Sequence, residues 1–464
     1  MKILLIQPNS RYCYNGQVNA LAPLGLLCLA GALRAAGFPD VELVDARAER
    51  LSRKALAARI RAFAPDLVGV TGMSPEFTEI MMATKLAREN APACKIVIGG
   101  PYASSSPAEV LANLYPDYAV IGEGERALCQ LAAALARGAD VSGIAGLAYK
   151  GPAGPLFGPP PAPLEDLRSL PRPAWDLLRT EHYFPSWTRH TMNPFPKSPR
   201  ALPLFTSRGC PYGCVYCHNI FGKRARFRGA EDVLDELEFL VRELGAEEIE
   251  IVDDIFNLDL DRAKRICDGI VRRGLKISLC FPNGLRADRM DEELVLKLKA
   301  AGAHLIYYAV ESASPRIQAL IRKNLDLEKT AAIVKFTAAQ GIKVGGFFML
   351  GFPGETAAEM LATARFAREH PFLYASFFFV SPREGTELYR MTAGTGTARG
   401  KANYFFFSDN FSAVPAPLFR LIMYWADHAF NLRPLHLLRM FLAVPDKRYV
   451  LKVLLRYKLL GGWA

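Results

Sequence analysis

The sequence predicts an α/β protein built from two parallel-sheet units and a small, mainly helical C-terminal region. Two observations carry this prediction: short apolar runs alternate with helix-like stretches over 1–150, and the same alternation returns over 196–390. Such alternation is typical of parallel sheets covered by helices. Between the units, 151–195 begins with a proline-rich stretch that indicates a linker. The pattern over 391–464 is aromatic and helical.

The chain has 464 residues, of which 51% are hydrophobic and 22% are charged. This length exceeds one ordinary domain, and the composition indicates filled cores rather than disorder. Six of the nine cysteines are scattered among apolar residues, as unpaired thiols of a reducing compartment commonly are. The apolar run at the N-terminus is too short for a signal peptide, so we expect a cytoplasmic protein.

The first unit is expected to be a Rossmann-like domain. Ligands of such sheets bind at the carboxyl ends of the strands. No Gly-x-Gly-x-x-Gly motif follows the first strand, which argues against a nicotinamide site. The predicted strands are 3–6, 41–44, 67–70, 96–98, 118–121 and 144–148.

The second unit is expected to be a partial, TIM-like (β/α)6 barrel, because six strand–helix repeats follow one another. The active site of such a barrel lies at the carboxyl mouth of its strands. The predicted strands are 202–206, 249–252, 276–280, 305–310, 344–350 and 376–380.

Three cysteines, Cys210, Cys214 and Cys217, follow the first strand of the second unit on one short loop that is rich in Gly and Pro. A cubane iron–sulfur cluster usually takes four cysteines, so three leave one iron open to a small molecule. The alternative is a structural zinc knuckle, which normally brings a second pair of ligands. No second closely spaced pair of cysteines occurs, and we therefore favour an iron–sulfur site.

The Cys-x3-Cys-x2-Cys spacing, with the aromatic Tyr216 directly before the third cysteine, resembles the signature of the radical S-adenosylmethionine (SAM) superfamily. The resemblance implies a [4Fe-4S] cluster whose open iron chelates the methionine end of SAM. One electron from the cluster then splits SAM into methionine and a 5′-deoxyadenosyl radical.

The first unit resembles the cobalamin-binding domain that precedes the barrel in a large branch of this superfamily. The resemblance rests on Pro23-Leu-Gly-Leu-Leu, Val41-Glu-Leu-Val-Asp-Ala, Ile98-Gly-Gly-Pro-Tyr and Gly122-Glu-Gly-Glu, in this order. It implies that the nucleotide tail of cobalamin lies in the crevice of the sheet, where glycines admit close approach of a ligand. The residues expected there are Gly72, Ser74, Gly99, Gly100, Gly122 and Gly124.

All seven histidines lie at or beyond His182, so the first unit supplies no histidine to cobalt. The alternative for this unit is a flavodoxin-like domain that binds nothing, because a fold does not establish a function.

The resemblance also assigns SAM contacts within the barrel. Asp253 and Asp254 match the place where family members meet the SAM ammonium group, and a carboxylate suits that cation. Glu311 matches an acidic position beside the ribose hydroxyls, and Arg286 is expected to face the SAM carboxylate. The alternative for these charged residues is a solvated or salt-bridged barrel rim. The residues of the Gly-rich strand expected beside the adenine are Gly345 and Gly346.

These resemblances predict a cobalamin-dependent radical SAM methyltransferase that acts on an unactivated carbon of a small or lipid-like substrate. One SAM molecule methylates cobalamin and a second supplies the radical. No catalytic side chain beyond the cofactor ligands is expected. The same cofactors fit an oxidative cyclase or rearrangement enzyme, as in the anaerobic porphyrin-ring cyclase branch. A non-catalytic metal-binding module is the third alternative.

The formal net charge of +11 bears on the partners of the protein. No RNA-binding motif accompanies the charge, so nucleic acid is not expected. We expect an electron donor such as flavodoxin or ferredoxin. A basic amphipathic helix is predicted over 449–460. Its role is either docking on its own core or peripheral contact with a membrane surface, helped by the aromatic residues of 405–407 and Trp425.

Overall fold

The computed structural model describes residues 1–10, 21–113, 115–184, 195–217, 220–392, 409–443 and 447. Two sheets dominate it, one of seven strands near the N-terminus and one of six strands in the second half of the chain. The predicted α/β class is therefore confirmed.

The first sheet has the strand order β2-β1-β3-β4-β5-β6-β7. Strands β1 to β5 are parallel, whereas β6 and β7 form an antiparallel hairpin at the edge. The strands are β1 (Ile3–Gln7), β2 (Val41–Asp45), β3 (Leu67–Thr71), β4 (Lys95–Gly99), β5 (Tyr118–Val120), β6 (Leu147–Gly151) and β7 (Gly154–Phe157).

The edge hairpin corrects one prediction, namely that the sixth strand is parallel. Strand β6 instead turns back after a loop and pairs with β7, which lies in the predicted linker. The end of the first unit at residue 150 stays a prediction. An antiparallel pair needs only a tight turn, which the sequence around Gly151 and Gly154 supplies.

Helices cover both faces of the first sheet because its strands are apolar on both sides. Ile3 and Leu5 face α1 and α6, and Leu4 and Ile6 face α2 and α3. The helices are α1 (Leu24–Ala35), α2 (Arg53–Phe63), α3 (Phe77–Asn90), α4 (Gly100–Ser105), α5 (Pro107–Ala112) and α6 (Gly124–Arg137).

The second unit is the predicted partial barrel, with six parallel strands in the order β15-β14-β13-β12-β11-β8. A two-stranded ribbon, β9 with β10, flanks the cysteine loop. The strands are β8 (Ala201–Leu204), β9 (Ser207–Arg208), β10 (Arg226–Phe227), β11 (Glu248–Ile251), β12 (Ser278–Leu285), β13 (Ala303–Glu311), β14 (Lys343–Leu350) and β15 (Tyr374–Phe379).

The barrel helices follow their strands as predicted, and further helices complete the described chain. They are α7 (Ala230–Arg242), α8 (Leu260–Arg272), α9 (Glu292–Ala300), α10 (Pro315–Leu320), α11 (Leu327–Ala339), α12 (Ala357–Glu369), α13 (Glu387–Met391), α14 (Ala416–Asn431) and α15 (Pro434–Ala443).

The predicted linker is packed against both units. The indole Nε1 of buried Trp175 donates to Glu236 Oε1 on α7 at 2.8 Å. The hydroxyl of buried Tyr183 donates to Asp45 Oδ2 at the end of β2 at 2.7 Å. Both aromatic side chains belong to a core that continues from the first unit into the barrel. The linker therefore helps to hold the two units in one arrangement.

The helical C-terminal region packs on the barrel through α14, whose Phe419 and Phe430 are buried. No described helix is long and apolar enough to cross a membrane. The basic helix predicted over 449–460 and the aromatic run 405–407 lie outside the described residues.

The interior of the barrel holds a buried carboxyl group. Glu250 on β11 is fully buried, and neither of its carboxylate oxygens has a hydrogen-bond partner among the described residues. Its neighbour Glu248 is satisfied by the backbone N–H groups of Lys197 and Ser198. Burial, and secondly the Glu248 carboxylate, raise the pKa of Glu250 well above its ordinary value.

Glu250→Gln should therefore flatten the dependence of stability on pH. The unfolded chain releases this proton near pH ~4.3, whereas the folded chain retains it to higher pH. Stability of the wild type thus falls with rising pH, by up to about 1.4 kcal/mol per pH unit. Urea unfolding midpoints at pH 5 and pH 8 measure the slope, with the exposed Glu231→Gln as control. Identical slopes in Glu250→Gln and wild type would contradict the assignment.

Candidate active site at the mouth of the barrel

The cysteine loop lies after β8, at the carboxyl mouth of the barrel. Its buried anchor is Val215, which packs on Ile317, Ile321 and Phe352. The N–H of Val215 donates to the carbonyl oxygen of Ile321 at 3.1 Å, and its own carbonyl accepts from Leu388 N–H at 2.8 Å. This side chain sits between Cys214 and Cys217, so it fixes the loop while the cysteines remain at least partly exposed.

The start of the loop depends on Gly209 and two carboxylates. Gly209 has φ +83°, and a Cβ there would lie 2.3 Å from the carbonyl oxygen of Arg224. The N–H of Gly209 donates to Asp254 Oδ2 at 2.9 Å. Buried Asp253 accepts from the backbone N–H of Thr206 at 2.6 Å and from the Ser207 hydroxyl at 2.6 Å.

These contacts show what holds Asp253 in place. A carboxylate that is 3% exposed and accepts bonds from the strand leading into the loop braces that loop, and its contact with the SAM ammonium group stays a prediction. Asp254 is exposed at the mouth, and its contact with SAM stays a prediction.

Tyr216, Glu311 and Lys323 form one buried cluster under the loop. The Tyr216 hydroxyl donates to Glu311 Oε1 at 3.2 Å, and Lys323 Nζ lies 3.3 Å from the same oxygen. Burial, and secondly Glu311, raise the pKa of Tyr216 well above its ordinary value, so its hydroxyl is a neutral donor. Glu311 has φ +67°, a left-handed conformation that costs a non-glycine residue about 1–3 kcal/mol and is typical of functional sites.

Sequence reasoning identified Tyr216 and Glu311 but missed Lys323. The signal was a lysine directly before Asn324, in a turn where Arg322 and Asn324 both have positive φ. The contact between Lys323 and Glu311 spans 12 residues, which no local motif reveals.

Arg286 is also bound by groups of the protein. Its Nε and Nη2 each donate to the carboxylate of Asp288 at 2.9 Å, and Nη2 donates to the Lys323 carbonyl at 2.8 Å. The guanidinium lies 3.9 Å from the ring centre of Tyr212 in the cysteine loop. Arg286 therefore supports the loop and the Lys323 turn, and its contact with the SAM carboxylate stays a prediction.

The glycines of β14 have packing reasons within the barrel. A Cβ on Gly345 would lie 2.3 Å from the ring of Tyr307, and one on Gly346 would lie 2.6 Å from the ring of Phe348. The aromatic rings of the protein itself leave no room for a side chain at either position. A neighbouring adenine is therefore not needed to account for the two glycines. Their contact with adenine stays a prediction.

The thiols of the cysteine loop raise one another's pKa, as Cys217 shows. Burial first, and then Cys214 and Cys210, raise the pKa of Cys217 to about 11. A bound metal overcomes this because it takes the thiolate. Among the described residues, the group of metal-binding atoms that lie within 4.8 Å of one another is Glu248, Glu250 and Cys280.

The carboxyl edge of the first sheet offers hydrogen-bonding oxygens and space that fit cobalamin. Asn9 Oδ1, Ser10 Oγ and Glu76 Oε1 are buried without a hydrogen-bond partner among the described residues. A Cβ on Gly99 would meet nothing within 4 Å. Unpaired polar atoms beside an open backbone suit the amide-rich rim and tail of a corrinoid.

The six residues predicted at cobalamin fall into three sets. Gly99, Gly100 and Ser74 lie at this edge, at the ends of β4 and β3, and their contact with cobalamin stays a prediction. Gly72 and Gly124 have packing reasons, since added Cβ atoms would lie 2.7 Å from Ile80 Cδ1 and 3.0 Å from Leu29 Cδ2. Gly122 has φ +78° in the turn before α6. The acidic residues of this turn, Glu123 and Glu125, contact arginines of the second unit.

Two family models match the chain: the B12 binding domain over residues 18–132 and the Radical SAM superfamily over residues 204–367. An uncharacterized methyltransferase of Pyrococcus horikoshii is 35% identical over 395 residues, which cover 84% of this chain and 82% of that protein. The chain belongs to the cobalamin-dependent radical SAM methyltransferase family.

Further relatives span methyl transfer and ring closure. A cytidylyl-2-hydroxyethylphosphonate methyltransferase of Streptomyces wedmorensis is 30% identical over 84% of this chain and 81% of its own length. An anaerobic magnesium-protoporphyrin IX monomethyl ester cyclase of Rubrivivax gelatinosus is 27% identical over 80% of this chain and 66% of its own length.

Solved structures share the fold of this methyltransferase. TsrM from Kitasatospora setae, with cobalamin and a [4Fe-4S] cluster bound, matches with a TM-score of 0.71 and 24% identity over 86% of this chain and 80% of its own. OxsB, with aqua-cobalamin and SAM bound, matches with a TM-score of 0.78 and 19% identity over 99% of this chain and 71% of its own.

Family membership confirms the predicted cofactors, which are a [4Fe-4S] cluster, SAM and cobalamin. The donors at the barrel mouth and at the edge of the first sheet fit these groups.

Glu311→Gln should weaken SAM binding by about 10- to 100-fold, because the loss of a charge-assisted hydrogen bond costs about 1.5–3 kcal/mol. The measurement is equilibrium dialysis of SAM against protein with a reconstituted cluster, with iron content as the check on loading. Glu293→Gln on the outer face of α9, whose side chain is 61% exposed, is the matched control. A wild-type dissociation constant in Glu311→Gln would refute a contact between Glu311 and SAM.

Proposed function

We propose that this methyltransferase adds a methyl group to an unactivated carbon of a small-molecule substrate by a radical route. The observation that carries the proposal is the position of the cysteine loop, at the barrel mouth and bonded to the edge of the cobalamin unit. When bound, the cofactors supply a 5′-deoxyadenosyl radical and a methyl group. The chain supplies the binding, the orientation and the exclusion of water.

Each part of the mouth has one task in this proposal. Cys210, Cys214 and Cys217 hold the cluster, and Val215 keeps their loop in place. Glu311 accepts hydrogen bonds from the SAM ribose, and Lys323, with Nζ 3.3 Å from Glu311 Oε1, orients that carboxylate. Tyr216 donates to the same oxygen, Glu311 Oε1, so Oε2 is the oxygen proposed to accept from SAM.

The lumen of the barrel is the proposed substrate site. Phe347 stacks on Tyr307 with ring centres 4.7 Å apart, and Phe378 lies 5.9 Å from Phe347. These rings sit on β13 to β15 below the mouth. An aromatic lumen excludes water from a carbon radical and favours a substrate with a flat or apolar part.

Cys214→Ala should abolish reductant-dependent formation of 5′-deoxyadenosine, because two thiolates do not hold the cluster in the loop. Chromatography of the nucleoside products measures this, and Cys267→Ala, buried on α8 away from the loop, is the control. Persistent SAM cleavage by Cys214→Ala would remove the cluster from the proposal.

Ring closure is the second candidate reaction, because a cyclase is among the relatives of this protein. The ratio of the two nucleoside products separates methyl transfer from ring closure. Methyl transfer yields one S-adenosylhomocysteine for each 5′-deoxyadenosine, because two SAM molecules are consumed. We expect that one-to-one ratio for this protein once substrate is present. Formation of 5′-deoxyadenosine without S-adenosylhomocysteine would support cyclisation or rearrangement instead.

The remaining partners are part of the proposal. A net charge of +11 favours an acidic electron donor such as flavodoxin or ferredoxin. Peripheral contact with an anionic membrane surface is supported by exposed side chains on α14 and α15, where Leu421 and Leu442 are 61% and 67% exposed.

We expect the full chain to co-sediment with anionic phosphatidylserine vesicles at low salt and to be released at high salt. Leu421→Glu should reduce the bound fraction, because it places a negative charge on the apolar row of α14. Leu296→Glu, an exposed leucine of α9 on the barrel, is the matched control. Absence of wild-type protein from the vesicle pellet would end the membrane part of the proposal.

A further inference from the structure

Four charged side chains meet between the two units, directly beside the cysteine loop. Arg208 Nη1 lies 2.9 Å from Glu123 Oε1, and Arg208 Nη2 lies 2.6 Å from Glu125 Oε1. Arg226 Nη1 lies 2.7 Å from Glu123 Oε2. Each of the four side chains is between 3% and 7% exposed, so the network is shielded from solvent and from salt.

The two arginines belong to the ribbon that carries the cysteine loop. Arg208 on β9 and Arg226 on β10 are paired across the ribbon, and Cys210 follows Arg208 after one glycine. The guanidinium of Arg208 also lies 5.2 Å from the ring centre of Phe221, at the far end of the same loop. The positions of both ends of the cluster loop therefore depend on these arginines.

The two glutamates belong to the edge of the first sheet. Glu123 precedes α6 and Glu125 lies in its first turn, in the Gly122-Glu-Gly-Glu turn that follows β5. This edge carries the donors that fit cobalamin. The network therefore joins the loop that holds the cluster to the edge that holds the corrinoid.

The linker also contacts the network, through the backbone of Leu164. The N–H of Leu164 donates to Glu123 Oε2 at 2.9 Å, and Arg226 Nη1 donates to the Leu164 carbonyl at 2.6 Å. Arg226 Nη2 donates to the Phe221 carbonyl at 2.8 Å. Glu123 thus binds two arginines and one backbone N–H, which admits little change in its position.

Stability alone is a weak reason for such a network, because taking four charges out of water offsets most of their attraction. Arg208 gives one Nη to each of two carboxylates, and Glu123 accepts from both arginines, so the planar guanidinium groups favour one geometry of the four side chains. We propose that Glu123, Glu125, Arg208 and Arg226 are positioning residues that set the separation between the iron–sulfur cluster and cobalt. The proposal rests on both cofactors being bound, and it does not require methyl transfer to be the reaction.

The separation matters because one substrate has to face both cofactors. Its carbon must meet the 5′-deoxyadenosyl radical on the cluster side and the methyl donor on the cobalt side. A displacement of about 1 Å costs roughly 100-fold in rate in such arrangements. Loosening the network should therefore reduce methyl transfer much more than cleavage of SAM.

The test uses Glu123→Gln in the full chain, loaded anaerobically with both cofactors and reduced to cob(II)alamin and the paramagnetic cluster. Pulsed electron paramagnetic resonance measures the dipolar coupling between the two spins. We expect a broadened or shifted distribution of distances, an unchanged rate of 5′-deoxyadenosine formation and about 100-fold less methylated product. The matched control is Glu231→Gln, which breaks exposed ion pairs with Arg272 and Arg273 and should match the wild type.

Arg226→Lys covers the case in which Glu123→Gln does not fold. This variant keeps the buried positive charge but cannot bind Glu123 and the Phe221 carbonyl through two separate nitrogens, so the same shift in spin–spin distance is expected. A wild-type distance distribution in a loaded variant, with unchanged coupling of SAM cleavage to product, would overturn the proposal. If the wild type cleaves SAM without methylating anything, the proposed function fails, while the distance measurement still decides the role of the network.

Discussion

The buried network of Arg208, Arg226, Glu123 and Glu125 is the constraint on which the arrangement of the site depends. Charges removed from water must find partners, and here each partner lies on the other unit. These pairs join the carboxyl edge of the first sheet to the carboxyl mouth of the barrel. The proposed corrinoid site and the proposed cluster site lie at the two edges that the network joins.

Several carboxylates at the barrel mouth bind groups of the protein itself. Asp253 braces the strand entering the cysteine loop, and Asp288 holds Arg286 against Tyr212 of that loop. Glu311, held by Lys323 and Tyr216 in a strained left-handed conformation, is one of the carboxylates proposed to contact SAM. Strain at this residue, supported from two sides, is consistent with a group fixed in advance for its ligand.

Sequence patterns predicted the fold and the cluster loop because both depend on local information. Strand–helix alternation and the spacing of three cysteines can be read within short windows. The roles of Asp253 and Arg286 could not be read this way, since their partners are Thr206, Ser207 and Lys323, which lie about 40 residues or more along the chain. Lys323 was missed for the same reason.

The role of individual glycines also could not be predicted from the sequence. Gly345, Gly346 and Gly124 were expected at cofactors, yet each stands where a Cβ would collide with a neighbouring side chain. A sequence shows that a glycine is present and leaves open whether a ligand or the protein itself requires the space. The hairpin of β6 and β7 was likewise hidden, because a proline-rich stretch that follows a strand resembles a linker.

The central claim is that one chain holds both cofactors, and its most direct test is their stoichiometry. The protein would be purified anaerobically with cobalamin available, and iron, sulfide and cobalamin would be measured per chain. The account predicts about four irons and about one cobalamin, the load of one cubane and one corrinoid. Iron without cobalamin would contradict the role given to the first sheet, and zinc in place of iron would contradict the role given to the cysteine loop.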